Sequence, residues 1–144
     1  MATIIYGYRR CGFTVTIADN GTSPTTGGYG ESSGTRGVVD PADGLIDIME
    51  FVWGAVRIPT GWVAADMAYL ASETRGGTYT LVYTAAGALA RSVVGSTTVP
   101  IWIAIPDEVF RAGPFIKMVS TNTASTATVS QTGGPLVLSV LLGS

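Results

Sequence analysis

Two local carboxylate pairs, Asp107 with Glu108 and Asp47 with Glu50, are the residues whose type and spacing come nearest to catalysis. Two acids flanking a glycosidic bond can act as general acid and as base or nucleophile. A plainer role competes at each pair. Asp107 and Glu108 follow Pro106, where a helix first turn favours proline and negative charge, and Glu50 fits a charge on a strand face. The chain has no histidine, so Ser-His, Cys-His and His-metal devices are excluded. With one cysteine, Cys11, neither an intrachain disulfide nor a cysteine-based metal site can form within one chain, and a small buried hydrophobe is its expected role. The expectation is a protein that is not an enzyme and holds no cofactor.

Asp40, Asp43 and Asp47 cluster around Gly44 and raise the question of calcium, which gathers carboxylate and carbonyl oxygens from loops. Their spacing is not that of an EF-hand, and Asp40-Pro41-Ala42-Asp43-Gly44 reads as a turn with solvated acids. Gly27-Gly28-Tyr29-Gly30 has no following Lys-Ser/Thr and no flanking strand and helix, so it is a flexible segment and not a phosphate cradle. Among the aromatics, Trp53, Trp102 and the tyrosines fit core or interface positions, while Trp62, beside Gly61, is the candidate stacking platform for a glycan. Tyr6, Tyr8, Arg9 and Arg10 hold the one adjacent basic pair and are the candidate contacts to a neighbouring subunit or shell; solvated arginines are the alternative.

Composition bounds the rest. Of 144 residues, 47% are hydrophobic and only 12% charged, against about 25% charged in ordinary domains. Mean hydropathy is +0.39 and the pI is about 4.9. Threonine, serine and 19 glycines replace the missing charge. One small core does not absorb this apolar excess, so part of it is expected to bury against other copies or another protein. A net charge of −2 with a single lysine, Lys117, argues against nucleic acid. The start, Met1 to Tyr6, lacks the basic and apolar regions of a signal peptide, which points to synthesis and use from the cytoplasm. The apolar run 135–142 is far short of the ~20 residues of a membrane helix, so no membrane partner is expected.

The elements that would position these residues are short strands. Residues 2–6 and 13–18 read as a strand pair turning near Gly12, followed by a long polar loop or arm over 19–37. This divides the chain into an N-terminal strand pair and arm, 1–37, and a body, 38–144. Further strands are expected over 46–58, ended by Pro59, over 62–71, over 77–84 with Tyr79, Leu81 and Tyr83 on one face, and over 88–94. Residues 100–106 form an apolar run framed by prolines, the form of a strand covered on both faces, its second face by either the sheet interior or a partner. A single short helix starts at Pro106-Asp107-Glu108, with Gly113 available to stop it, and strands follow at 115–120 and 135–142. Many short strands at a spacing of roughly 8 to 12 residues predict an all-β antiparallel β-sandwich or jelly roll.

Over roughly residues 51–142 the chain resembles small virion structural proteins of tailed bacteriophages. The resemblance rests on Trp62-Val-Ala-Ala-Asp-Met-Ala-Tyr-Leu-Ala-Ser72, Gly76-Gly77-Thr78-Tyr79, Gly87, Ile105-Pro106 with Phe110, and Phe115-Ile-Lys-Met-Val-Ser120. Where such proteins often carry an Ala-Asp-Arg-like step before the last strand, this chain has Gln131-Thr132-Gly133-Gly134. The resemblance implies a sandwich displayed on the outer capsid surface. The expected function is a capsid decoration or cement protein that binds the major capsid protein, as a homotrimer or other homo-oligomer, with the N-terminal segment reaching an adjacent copy. The alternative is a glycan-binding host-recognition module on a fibre or capsid surface.

Overall fold

β-Branched and aromatic residues at alternate positions bury one face of nearly every strand, and the chain places those faces in two layers. The computed structural model describes residues 10–17, 32–34, 46–49, 51–95, 98–127, 129, 131 and 136–144. Its strands are β1 (Arg10–Ile17), β2 (Ser32–Gly34), β3 (Ile46–Asp47), β4 (Trp53–Ile58), β5 (Asp66–Ser72), β6 (Thr80–Leu81), β7 (Arg91–Ser92), β8 (Ile101–Ala104), β9 (Phe115–Thr121) and β10 (Leu136–Gly143), with one helix, α1 (Asp107–Ala112). Sheet A runs β2-β1-β10-β4-β8; sheet B runs β3-β9-β5-β6, with β7 also pairing β5.

All pairings are antiparallel and they nest: β1 with β10, β3 with β9, β4 with β8, and β5 with β6 and β7. The chain is thus one long folded-back ribbon. Its successive arms alternate between layers, and the contacts β10·β4 and β9·β5 close the two sheets. Nested pairs rolled in this way make a jelly roll, the double-sheet architecture built from Greek keys. The all-β sandwich expected from the strand spacing is therefore the fold.

Between the layers, Val15, Ile17, Val56, Ile58, Leu138, Val140 and Leu142 from sheet A meet Ile46, Met67, Tyr69, Ile116 and Met118 from sheet B. The period-two alternation is clearest in β4, where Gly54, Val56 and Ile58 are buried and Trp53, Ala55 and Arg57 half-buried on the other face. A side chain at Gly54 would meet Leu142 and Ile105 at 2.7 and 2.9 Å. Glycine is what leaves room on β4 for the Leu142 and Ile105 side chains.

The helix forms where Pro106 and the two acids predict it. Gly113 follows, but its backbone is extended (φ 173°). Close approach accounts for this glycine, since a Cβ there would lie 2.8 Å from the Ser72 carbonyl oxygen.

Several boundaries differ from the sequence expectation, and each difference follows from the roll. Residues 46–58 are two strands in different sheets, because the chain crosses from sheet B to sheet A at Ile48 to Val52. The crossing is held by Ile48 N–H to the Pro114 carbonyl (2.8 Å) and Val52 N–H to that of Gly143 (2.8 Å). Strand β5 starts at Asp66, after a corner at Trp62. The 77–84 and 88–94 segments contribute only β6 and β7, joined by a tight turn with Gly87 at φ 84°. Here Val82 takes the core position, while Leu81 is half-buried and Tyr83 exposed. Gly12 is not a turn; it lies inside β1, opposite Leu141.

Residues 32–34, inside the expected loop, form an edge strand on β1. A division at residue 37 does not hold for β1, because Val15 and Ile17 are fully buried in the body and β1 pairs with β10 along its whole length. The expected strand 2–6 and the Asp40–Gly44 turn lie outside the described residues.

Candidate interaction surface

The strands of sheet A carry a second set of side chains on the face turned away from the core. The registers set them in rows: Arg10, Gly143 and Trp53; then Gly12, Leu141, Ala55 and Ala104; then Thr14, Ser139, Arg57 and Trp102; then Val137. The face is made of small and apolar residues with two arginines. Trp102 is 55% exposed and Val137 56% exposed. Trp53 lies over Gly143, where a Cβ would overlap its ring, and the Arg10 guanidinium stands 6.0 Å from the centre of the Trp53 ring. Removing the Cβ at 143 flattens the face and lets the indole lie down on it.

β8 bounds this face. Of the two covers the sequence allows for the second face of residues 100–106, sheet interior or partner, the structure removes the sheet interior. β8 is the edge of sheet A, with Ile101 and Ile103 turned inward and Trp102 and Ala104 exposed. Flanking prolines suit an edge, since proline cannot donate to a further strand.

The outward face of sheet B is treated differently. Ala68 and Val119, opposite each other in β5 and β9, are buried although they point away from the core. Arg91 reaches from β7 across β5 to the turn after β9, donating to the carbonyls of Asn122 and Ser125 and to Thr121 Oγ1. Its guanidinium stands 3.6 Å from Asp66 Oδ2, while Asp66 Oδ1 accepts from the N–H groups of Val94 and Gly95, both at 2.9 Å. An aspartate buried in this way is stable only because all its partners are present.

A buried relay joins the two sheets. Ser92 Oγ donates to the Ala104 carbonyl at 2.6 Å, so the Tyr69 hydroxyl, 2.6 Å from Ser92 Oγ, must be the donor to it. Tyr69 is fully buried, and loss of hydration raises its pKa well above the ordinary tyrosine value, opposed only by the bond to Ser92.

Of the residues chosen from sequence, Arg10 opens β1 at the corner of the sheet A face and is exposed. Tyr6, Tyr8 and Arg9 lie outside the described residues. Trp62 is not a glycan platform. It is 9% exposed, packs in the core cluster and donates its indole N–H to the Ala65 carbonyl at 3.0 Å, leaving no ring face for a sugar. Gln131 is buried. Its side-chain amide pairs with the backbone of Val63, accepting from N–H at 2.7 Å and donating to the carbonyl at 3.3 Å.

Asp107 and Glu108 diverge. Asp107 lines a cleft with Phe51 and Val52, whereas Glu108 lines a larger groove beside β5 and β6. The pairing of Asp47 with Glu50 falls partly outside the described residues, as do Asp40 and Asp43. Among the described residues no group of three acids or cysteines is placed to hold a metal ion, and no helix is long and apolar enough to cross a membrane. Of the core and interface positions that the sequence allows for Trp102, its exposure on the edge strand removes the core.

The architecture and the surface together define an all-β jelly roll with one self-covered sheet and one open, weakly charged sheet. Set against known proteins, the chain matches no family model, no curated protein and no solved structure.

Proposed function

We propose that this chain is a bacteriophage virion structural protein, a capsid decoration protein that binds the major capsid lattice as a homotrimer or other homo-oligomer and stabilises the head. The observation that carries the proposal is the outer face of sheet A, with Trp102 and Val137 exposed among small residues. Tryptophan and arginine are the residue types that most often anchor protein interfaces, and a flat face with little charge can be desolvated at low cost. The jelly roll adds support, since viral capsid domains are among its common hosts, although fold alone does not assign function. The resemblance read from the sequence over residues 51–142 is the further ground for this reading. The mechanism is passive: apolar surface buried between shell subunits raises the work needed to separate them.

The test is occupancy. The purified chain, added to shells lacking it, should bind at hundreds of copies per particle, in fixed ratio to the major capsid protein by quantitative mass spectrometry. A handful of copies per particle would instead place it in a tail or fibre. Deleting residues 1–20 is not a clean probe of an N-terminal arm, because it removes β1 and the buried Val15 and Ile17. Truncation before Arg10 leaves the strand in place and tests the Tyr6, Tyr8 and Arg9 contacts directly.

A further inference from the structure

The end of β5, the turn that follows it, β6, the 82–85 segment and α1 enclose a groove of about 750 Å³. That lies within the roughly 300–1,000 Å³ of small-ligand sites. Glu73, Thr78, Thr80, Tyr83, Glu108 and Arg111 line it. At its buried positions this molecule satisfies polar side chains internally, as at Asp66, Ser92 and Gln131. In the groove, none of these six side chains has a hydrogen-bond or ion-pair partner among the described residues. Glu73, Glu108 and Arg111 border one depression without neutralising one another.

From these observations we infer that the groove binds an uncharged or amino-bearing saccharide. The donor and acceptor types fit a sugar. Carboxylates only accept, a guanidinium only donates, and threonine hydroxyls do both, so adjacent ring hydroxyls can each find a complementary partner. Tyr83, 50% exposed at the rim, offers an aromatic face for the C–H side of a pyranose. Two carboxylates against one guanidinium leave a net negative lining, which repels uronic and sialic acids and favours neutral or amino sugars. The site differs from the one predicted at Trp62, and it is separate from the open face of sheet A, being built on β5, β6 and α1. It therefore does not rest on shell binding.

The test uses the full chain on a glycan array, followed by saturation-transfer NMR with the neutral or amino-sugar glycans that bind. Glu108→Gln and Tyr83→Ala should each weaken binding at least tenfold, while Trp102→Ala, on the other sheet, should leave it unchanged. In the unaltered protein, amide shift changes on adding the sugar should centre on Thr78, Thr80, Tyr83 and Arg111, which keeps the test valid if a variant folds poorly. Three results would overturn the inference: no binding to any neutral or amino sugar, binding to acidic glycans alone, or shift changes that map away from the groove.

Discussion

The two sheets solve the same problem in opposite ways. Each carries apolar residues on the face turned away from the core. In sheet B, Ala68 and Val119 are sealed, with Arg91 drawn across β5 and tied to the turn at Asn122 and Ser125. In sheet A, Trp102 and Val137 stay exposed, and no described segment crosses them. A chain that can cover one outer face with its own residues and leaves the other open separates stability from association. Polar side chains on the sealed face are committed to holding the fold, whereas Trp102 and Val137 on the open face are available to a partner.

The largest expected effect falls on the sealed side. Asp66→Ala strands the N–H groups of Val94 and Gly95 and leaves Arg91 without its carboxylate, at a cost of about 3 kcal/mol in urea unfolding. If the loss were below about 1 kcal/mol, the seal would not be a stability element. On the open side, Trp102→Ala should weaken shell binding by about 2 kcal/mol, roughly thirtyfold, as expected for an interface anchor. It should shift unfolding by no more than about 0.5 kcal/mol, the usual range for surface substitutions. A variant that lost stability and kept binding would invert the comparison.

Smaller effects are expected at the relay between the sheets. Tyr69→Phe removes the donor to Ser92 and should cost about 1 kcal/mol at neutral pH. Its signature is clearer in alkali. Because burial raises the folded-state pKa of Tyr69, the unfolded chain, with its tyrosine at about 10, releases a proton first. The stability contribution is complete below about pH 10 and declines as pH rises beyond it, by up to about 1.4 kcal/mol per pH unit. Urea midpoints measured from pH 9 to 11 should fall more steeply for the native chain than for Tyr69→Phe. Parallel slopes would mean that Tyr69 ionises as freely in the fold as out of it.

How far these regions can be read from sequence varies with the range of the interaction. The helix at Asp107 is local: proline and two acids define a first turn within three residues, and the structure agrees. The span 46–58 reads as one strand because both halves are apolar and β-branched. Nothing local marks the crossing, which is fixed by bonds from Ile48 to Pro114 and from Val52 to Gly143. Trp62 and Trp102 show the same limit in reverse. The tryptophan chosen as a surface platform is buried at a corner, and the one inside an apolar run stands on an edge strand. The groove was illegible for a related reason, since Glu73 and Glu108 are brought together only by packing of α1 beside β5.

By itself the sequence determined that this chain is all-β, where its helix begins, that it lacks histidine chemistry, and that it holds more apolar surface than charge. These properties follow from residue type and near-neighbour spacing, which act through backbone preference and solvation. The tertiary structure decided which strand is central and which is an edge, and therefore which apolar residues face water. Period-two alternation gives every strand two faces without saying which meets the core. Pairings as remote as Arg10 with Gly143 settle that choice, because only the assembled roll fixes what lies on either side of a strand.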